Sequence, residues 1–308
     1  MCGVIVITMK KPKILVIVGP TASGKTSLSI ALAQKYAGEI VSADSRQVYK
    51  GLDLGTGKVT TEEMCGIPHH LLDVTNPMET YTVADYVRDG HIAISSILSQ
   101  NKLPIIIGGT FFYIDALLGR VSTPYVQPNE KLRTLLEEKT TETLSAELIA
   151  KDPQRASSVD KHNRRRLIRA LEIIDALGHV PAPVETESPY ETLILGIDVP
   201  KESLYERIDE RIQARITLGM IEEVKSLHTN GIPYKRMEDL GIEYKYIARF
   251  LQGQLTEDTL IEQLNIKSRQ YAKRQMTWLK RDRSIIWINP TDMATIEHKI
   301  ESFLSTDR

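Results

Sequence analysis

Hydrophobic positions fall along this chain in two alternating rhythms. Ile14–Val18 and Leu103–Ile107 are unbroken apolar runs, which predict strands buried on both faces. Glu39–Ser42, Leu193–Val199 and Ile285–Ile288 predict further strands. Between them the period lengthens to that of a helix. Ser27–Tyr36 carries Leu28, Ala31, Leu32 and Lys35 at helical spacing, and Val83–Leu98 reads as an amphipathic helix. Such alternation implies a parallel sheet covered by helices on both sides.

Two proline-bearing stretches, Val121–Pro128 and Val180–Pro189, interrupt this order. Between them Lys131–Lys139, Thr143–Lys151 and Asn163–Leu177 are helical in period, with no convincing strand. The expected organisation is therefore an α/β core made of residues 1–120 and 190–308, with a helical insertion at 121–189. After Pro200, Leu204–Leu218, Ile221–Thr229, Ile242–Leu251 and Thr256–Lys280 are again helical, and Met220, Met237 and Met276 read as core filling.

Composition narrows the classes. With 42% hydrophobic and 26% charged residues the chain is globular in type, and a net charge of −1 excludes a polycation without excluding local basic patches. Cys2 and Cys65 are too few for a disulfide framework, and no Cys-x-x-Cys pair offers zinc ligands, so a reducing, cytoplasmic setting is expected. No apolar run approaches the ~20 residues of a membrane span. The run Gly3–Ile7 precedes Lys10-Lys11 rather than following it, which does not read as a signal peptide. Met9-Lys10-Lys11-Pro12 resembles a start of its own, leaving Met1–Thr8 as an extension. His69-His70 suggests a metal site at first sight, but strand neighbours point to opposite faces, so a structural role is expected.

The sharpest chemical signal is Gly19-Pro20-Thr21-Ala22-Ser23-Gly24-Lys25-Thr26, a G-x-x-x-x-G-K-[ST] sequence placed after a buried strand and before a helix. Glycines let successive N–H groups converge on phosphate oxygens, and the helix N-terminus adds positive potential. Lys25 supplies a full charge, and the Thr26 hydroxyl is placed to ligate Mg²⁺. The expected fold is thus a P-loop NTPase-like sheet. An ATPase or kinase would hold its metal with a carboxylate at the end of a neighbouring strand. Here Leu103–Ile107 ends in Gly108-Gly109-Thr110, and Leu71-Leu72-Asp73 looks like a loop. Asp44, just past the second strand, lies at the carboxyl edge where open α/β sheets bind ligands, as a general base, a group behind a metal's ligands, or a helix cap.

Gly19–Thr26, then Asp44-Ser45-Arg46-Gln47-Val48-Tyr49-Lys50-Gly51-Leu52-Asp53-Leu54-Gly55-Thr56, then Ile67–Asp73, resemble the tRNA dimethylallyltransferase (isopentenyltransferase) family of bacterial type. Gly108-Gly109-Thr110 with Tyr113, Arg165–Glu172, Leu204–Arg211 and Tyr271–Trp278 continue the match in order, over roughly Ile14 to Trp278. Two local departures are Phe111-Phe112 before Tyr113, and Gly241-Ile242-Glu243-Tyr244-Lys245 in place of a Gly-Tyr-Lys-Glu string.

The resemblance implies transfer of the five-carbon group of dimethylallyl diphosphate to the N6 amine of the adenosine 3′ of a tRNA anticodon. It implies Mg²⁺ as cofactor, Asp44 as the base, Thr21 at the reacting centre with Lys25, and Arg207 or Arg211 reaching the diphosphate. Both arginines also share their helix with Glu206 and Glu210, as surface partners would. Asp44–Gln47, Thr110, Arg133, Arg165, Arg166, Leu167, Ile168 and Arg169 resemble tRNA-contacting positions. Two basic segments suit an RNA partner. Residues 160–169 hold Lys161, Arg164, Arg165, Arg166 and Arg169 against Asp160. Residues 267–283 hold seven cations, Lys273 and Arg274 among them, against Asp282, with Tyr271 and Trp278 interleaved. The insertion is expected to clamp the anticodon arm, and a monomer is expected. Transfer to free adenine nucleotides, a small-molecule kinase and a nucleotide-gated RNA-binding protein remain as alternatives.

Overall fold

A computed structural model describes residues 10–121, 124, 126–182 and 186–306. Cys2, Gly3–Ile7, the extension Met1–Thr8 and Pro183 lie outside the described residues. The chain divides into two compact units. The first runs to Gly119 and resumes at Glu187; the second is Arg120–Thr186.

In the first unit β1 (Lys13–Val18) leads through the phosphate loop into α1 (Lys25–Lys35), followed by β2 (Gly38–Ser42) and the two-residue β3 (His69–His70). Then come α2 (Val83–Ser99), β4 (Leu103–Gly108) and α3 (Phe111–Leu117). The second unit holds α4 (Glu130–Glu137), α5 (Thr141–Lys151), α6 (Pro153–Ser158) and α7 (Arg164–Leu177). The first unit resumes with β5 (Glu191–Ile197), α8 (Lys201–Thr217), α9 (Met220–Thr229), α10 (Tyr234–Leu240), α11 (Ile242–Leu251), α12 (Glu257–Leu279), β6 (Ile286–Ile288) and α13 (Met293–Ser305).

The six strands form one sheet in the order β3-β2-β4-β1-β5-β6, and every pairing is parallel. β1 is central, with Val16 opposite Ile106 on one side and Ile194 on the other. Its alternation sorts the core. Ile14, Val16 and Val18 face a cluster with Tyr86, Ile94, Tyr113 and Leu117, while Leu15 and Ile17 face Leu28, Leu32, Ile296 and Ile300. This is why Ile14–Val18 is apolar without interruption. Thr82 opens α2 with a reciprocal capping box to Asp85.

Four helices and a strand escaped the sequence pattern. α3, α6 and α10 span only seven, six and seven residues, too short to display a period, and α13 lies past the last predicted strand. β3 pairs Ile40 with His69 at the sheet edge. There Glu39, nearly fully buried, accepts from Lys102 Nζ at 2.6 Å and lies 2.7 Å from His70 Nε2. His69 Nδ1 lies 2.9 Å from the Ile67 carbonyl. Both histidines are thus engaged structurally, and among the described residues no group of three or more His, Cys, Asp or Glu side chains could hold a metal.

A third core is helical. Leu204, Ile208 and Ile212 of α8 pack with Met220, Val224, Met237, Leu240, Tyr244, Ile247, Leu260 and Leu264, over Val48, Tyr49 and Leu52. It presses α8 and α12 toward the carboxyl edge of the sheet, where the phosphate loop opens.

Candidate active site

The loop between β1 and α1 turns through positive φ at Ala22 (62°) and Gly24 (90°). Gly24 is the N-cap of α1 and supplies no side-chain cap, and no acidic residue stands in the first turn. The N–H groups at this helix start are therefore left for an anion. Lys25 Nζ curls back to donate to the Pro20 carbonyl at 2.7 Å, and the Ser23 hydroxyl is buried without a partner. Thr26 is exposed at the mouth of the loop.

α8 decides between the two candidate arginines. Arg207 is exposed, whereas Arg211 reaches into the loop and donates through Nη2 to the Thr21 hydroxyl. Arg207 as a diphosphate ligand is therefore corrected: it lies on the outer face of the helix. Arg215, one turn beyond Arg211, is buried, and its guanidinium occupies the space above Gly57, where an added Cβ would come within 1.5 Å of Nη2. The loop bearing Gly57 is pinned by Glu223, whose carboxylate accepts from the N–H groups of Asp53, Leu54 and Gly55 at 3.1, 2.7 and 3.1 Å and from Tyr244 Oη at 2.7 Å.

This concentration of positive charge leaves its mark on each group. Burial, then the Arg211 charge, lowers Lys25 to about 7, with Asp44 opposing. Burial and the Arg215 charge lower Arg211 to about 9, and its Nε is buried with no partner. Glu243, in the departing Gly-Ile-Glu-Tyr-Lys string, is pushed up by burial while Arg215 and Arg211 pull it down. Crowded cations, Arg215 buried and Lys25 and Arg211 half-buried, together with unpartnered buried donors on Ser23 and Arg211, suit an anion.

Asp44 borders this site and shapes its own loop: Oδ1 accepts from the N–H groups of Arg46 at 2.8 Å and Gln47 at 3.4 Å. The Thr110 hydroxyl accepts from Ser45 N–H at 3.0 Å, and Gln47 Nε2 donates to the Gly57 carbonyl at 3.2 Å. Tyr271 is exposed beside this site, and Tyr113 lies buried beneath it, stacked on Tyr86 with ring centres 4.2 Å apart; burial raises both phenols, and both feel Asp44 and Arg46. The outer face of α12 carries a groove lined by Lys273, Arg274, Thr277, Trp278 and Arg281, all exposed, with the Arg274 guanidinium 5.8 Å from the Tyr271 ring centre.

The second unit rearranges the other expected positions. Leu167 and Ile168 fill its core with Leu136, Leu144, Leu148 and Leu171, so a side-chain contact to RNA from either is corrected to a packing role. Arg133 and Arg169 are spent on Glu172, which is 1% exposed. It accepts from Arg133 Nε at 2.9 Å and Nη2 at 3.1 Å, from Asn129 N–H at 2.6 Å, and from Arg169 Nη1. Arg165 and Arg166 are exposed in the first turn of α7, where the helix dipole disfavours cations unless an anion is present.

Sequence reasoning missed Arg215, Glu243 and Gln275. Gln275 lies under the loop, accepting from Thr21 N–H at 2.9 Å and donating to the Gly109 carbonyl at 3.0 Å.

Comparison with known proteins agrees with this architecture. Residues 47–282 match the IPP transferase family. The chain belongs to that family. It is 39% identical over 288 residues to the tRNA dimethylallyltransferase of Thermomicrobium roseum, covering 92% of this chain and 88% of that protein. The Geobacillus kaustophilus tRNA dimethylallyltransferase is 40% identical over 298 residues, 94% of each chain. Among solved structures, the Bacillus halodurans tRNA isopentenylpyrophosphate transferase superposes with TM-score 0.72 at 35% identity, over 96% of this chain and 97% of that one. A eukaryotic dimethylallyltransferase acting on tRNA superposes with TM-score 0.81 at 29% identity, over 96% and 80%.

Proposed function

We propose that this protein is a tRNA dimethylallyltransferase, which moves the dimethylallyl group of dimethylallyl diphosphate onto the N6 amine of the adenosine 3′ of the anticodon. The observation that carries this reading is the convergence of Lys25 and Arg211 on the phosphate loop beside Asp44. The reaction needs a seat for a diphosphate leaving group beside a base, and these residues would supply both.

In the reaction the allylic C–O bond breaks and its electron pair leaves with the diphosphate. The loop N–H groups, Lys25 and Arg211 stabilise the charge that develops there, and Arg211 holds the Thr21 hydroxyl within the loop. The adenine N6 nitrogen attacks the allylic carbon, and its proton passes to the Asp44 carboxylate. An exocyclic amine delocalised into its ring is a poor nucleophile, so a positioned base contributes ~10²–10⁴-fold. A stacked loop base cannot reach this cleft and must be extruded. Tyr271, exposed beside the site, suits a flipped purine, and Lys273, Arg274 and Trp278 suit phosphates and an unstacked base.

The donor set fits Mg²⁺, which keeps water and takes substrate phosphates alongside one or two protein oxygens. Thr26, exposed at the start of α1, would hold it, and the ion would neutralise the departing diphosphate. No carboxylate stands at the end of β4, which disfavours a kinase. The exposed cations on α12 and at the start of α7 disfavour a free nucleotide as acceptor.

The test is incubation with unmodified anticodon stem-loop RNA, dimethylallyl diphosphate and Mg²⁺. The RNA gains one dimethylallyl group, and replacing the target adenosine by guanosine abolishes the gain. RNA unchanged in mass refutes the reading.

A further inference from the structure

Gln275 is the one side chain of α12 that reaches beneath both halves of the site. Its Oε1 accepts from Thr21 N–H in the phosphate loop, and its Nε2 donates to the Gly109 carbonyl after β4. Only the amide fits: a carbonyl oxygen must face the N–H and an NH₂ must face the C=O, 166 residues of chain apart in the second case. Gln275 is 5% exposed, and Gly109 leaves it room, since a Cβ there would stand 2.4 Å from Nε2.

From Gly109 the connection continues. Thr110 N–H donates to the Ala43 carbonyl at 3.1 Å, and the Thr110 hydroxyl accepts from Ser45 N–H at 3.0 Å, on either side of Asp44. On the other side, Thr21 bears the hydroxyl that Arg211 holds. One hydrogen-bonded path therefore runs from the anion loop, through a single amide, to the loop of the base.

We infer that Gln275 is a positioning residue that sets the register between the phosphate loop and the Asp44 loop, and so between donor diphosphate and acceptor amine. It touches no reacting atom. This rests on the proposed reaction for what is being aligned, while its effect on the anion loop stands apart from that reaction.

The experiment compares Gln275→Leu, Gln275→Glu and Gly109→Ala with the parent in two assays. One is calorimetric binding of inorganic pyrophosphate; the other is single-turnover prenyl transfer from about pH 5.5 to 8.5, with the affinity for stem-loop RNA measured alongside. Misplacement by about 1 Å costs on the order of 10²-fold in rate. Gln275→Leu should lose roughly that much transfer and weaken pyrophosphate several-fold, with RNA affinity unchanged. Gly109→Ala, which displaces the amide from the opposite side, should do the same. Gln275→Glu supplies the discriminating readout. Ionised, it repels the Gly109 carbonyl; protonated, its O–H donates there while its carbonyl still accepts from Thr21. Its deficit relative to the parent should therefore shrink as pH falls, and that of Gln275→Leu should not. Pyrophosphate binding and transfer unchanged in the folded variants, or a Gln275→Glu deficit constant with pH, overturns the inference. A parent that binds pyrophosphate but transfers no prenyl group would refute the proposed reaction and leave the pyrophosphate arm to decide on Gln275.

Discussion

The Arg211 guanidinium donates to the Thr21 hydroxyl across 190 residues of sequence, joining α8 to the phosphate loop. The contact separates the two arginines of the helix: Arg211 reaches the loop, and Arg207 is exposed. Replacing Arg211 by alanine should lower kcat/KM for dimethylallyl diphosphate by roughly 10²–10³-fold, the usual cost of one donor to a developing anion. Arg207→Ala removes an exposed charge and should stay within about 2-fold. Steady-state kinetics on the two variants side by side checks both halves.

Asp44 does two things that a single substitution can separate. Its carboxylate borders the cations, and its Oδ1 caps the Arg46 and Gln47 N–H groups. Asn keeps the cap and removes the base, so Asp44→Asn should lower kcat by ~10²–10⁴-fold with RNA affinity intact. Asp44→Ala loses the cap as well and should also weaken RNA binding. Equal RNA affinities for the two variants would show that the cap is dispensable.

Burial of its ammonium and the neighbouring Arg211 charge lower Lys25 to about 7 in the free protein. Diphosphate favours the charged ammonium and so raises that value. Free protein above about pH 7 has lost the proton that the complex holds. Binding at pH 8 should therefore take up a proton, and pyrophosphate affinity should fall as pH rises above 7. Calorimetry in buffers of different ionisation enthalpy measures the uptake directly.

In the second unit, burial tends to raise the Glu172 carboxyl, but hydrogen bonds from Arg133, Asn129 N–H and Arg169 outweigh it and hold it below its ordinary value. A depressed carboxylate contributes stability above its unfolded value, and that stability is lost as pH falls through the folded one. Glu172→Ala removes the acceptor of both arginines and of Asn129 N–H, and, since the arginines are partly exposed to water, should destabilise this unit by about 1–3 kcal/mol. Hydrogen exchange confined to residues 120–186 would report it, with pyrophosphate binding to the first unit unchanged.

Much of this was legible before the fold. The phosphate loop announces itself because its function depends on backbone geometry that only certain residues permit, and its strand because burial on both faces leaves no polar position. The arginine choice was legible in principle. Leu204, Ile208 and Ile212 define the buried stripe of α8, and at about 100° per residue Arg215 falls within it, Arg211 at its border and Arg207 well around the helix. A motif names a string; the stripe says which side of the string faces inward. The same reasoning separates exposed Arg165 and Arg166 from buried Leu167 and Ile168. Gln275 and the Arg215–Gly57 fit were not legible, because each depends on contacts between segments far apart in sequence.

The central claim is that the anion seated on the Lys25 loop is the diphosphate of a prenyl donor. A single-turnover reaction containing the protein, Mg²⁺, stem-loop RNA and equal concentrations of ATP and dimethylallyl diphosphate addresses it directly. Mass spectrometry of the RNA and quantification of nucleotide should show a prenylated product, pyrophosphate released in equal amount, and ATP intact. ATP consumed while the RNA keeps its original mass would contradict the account.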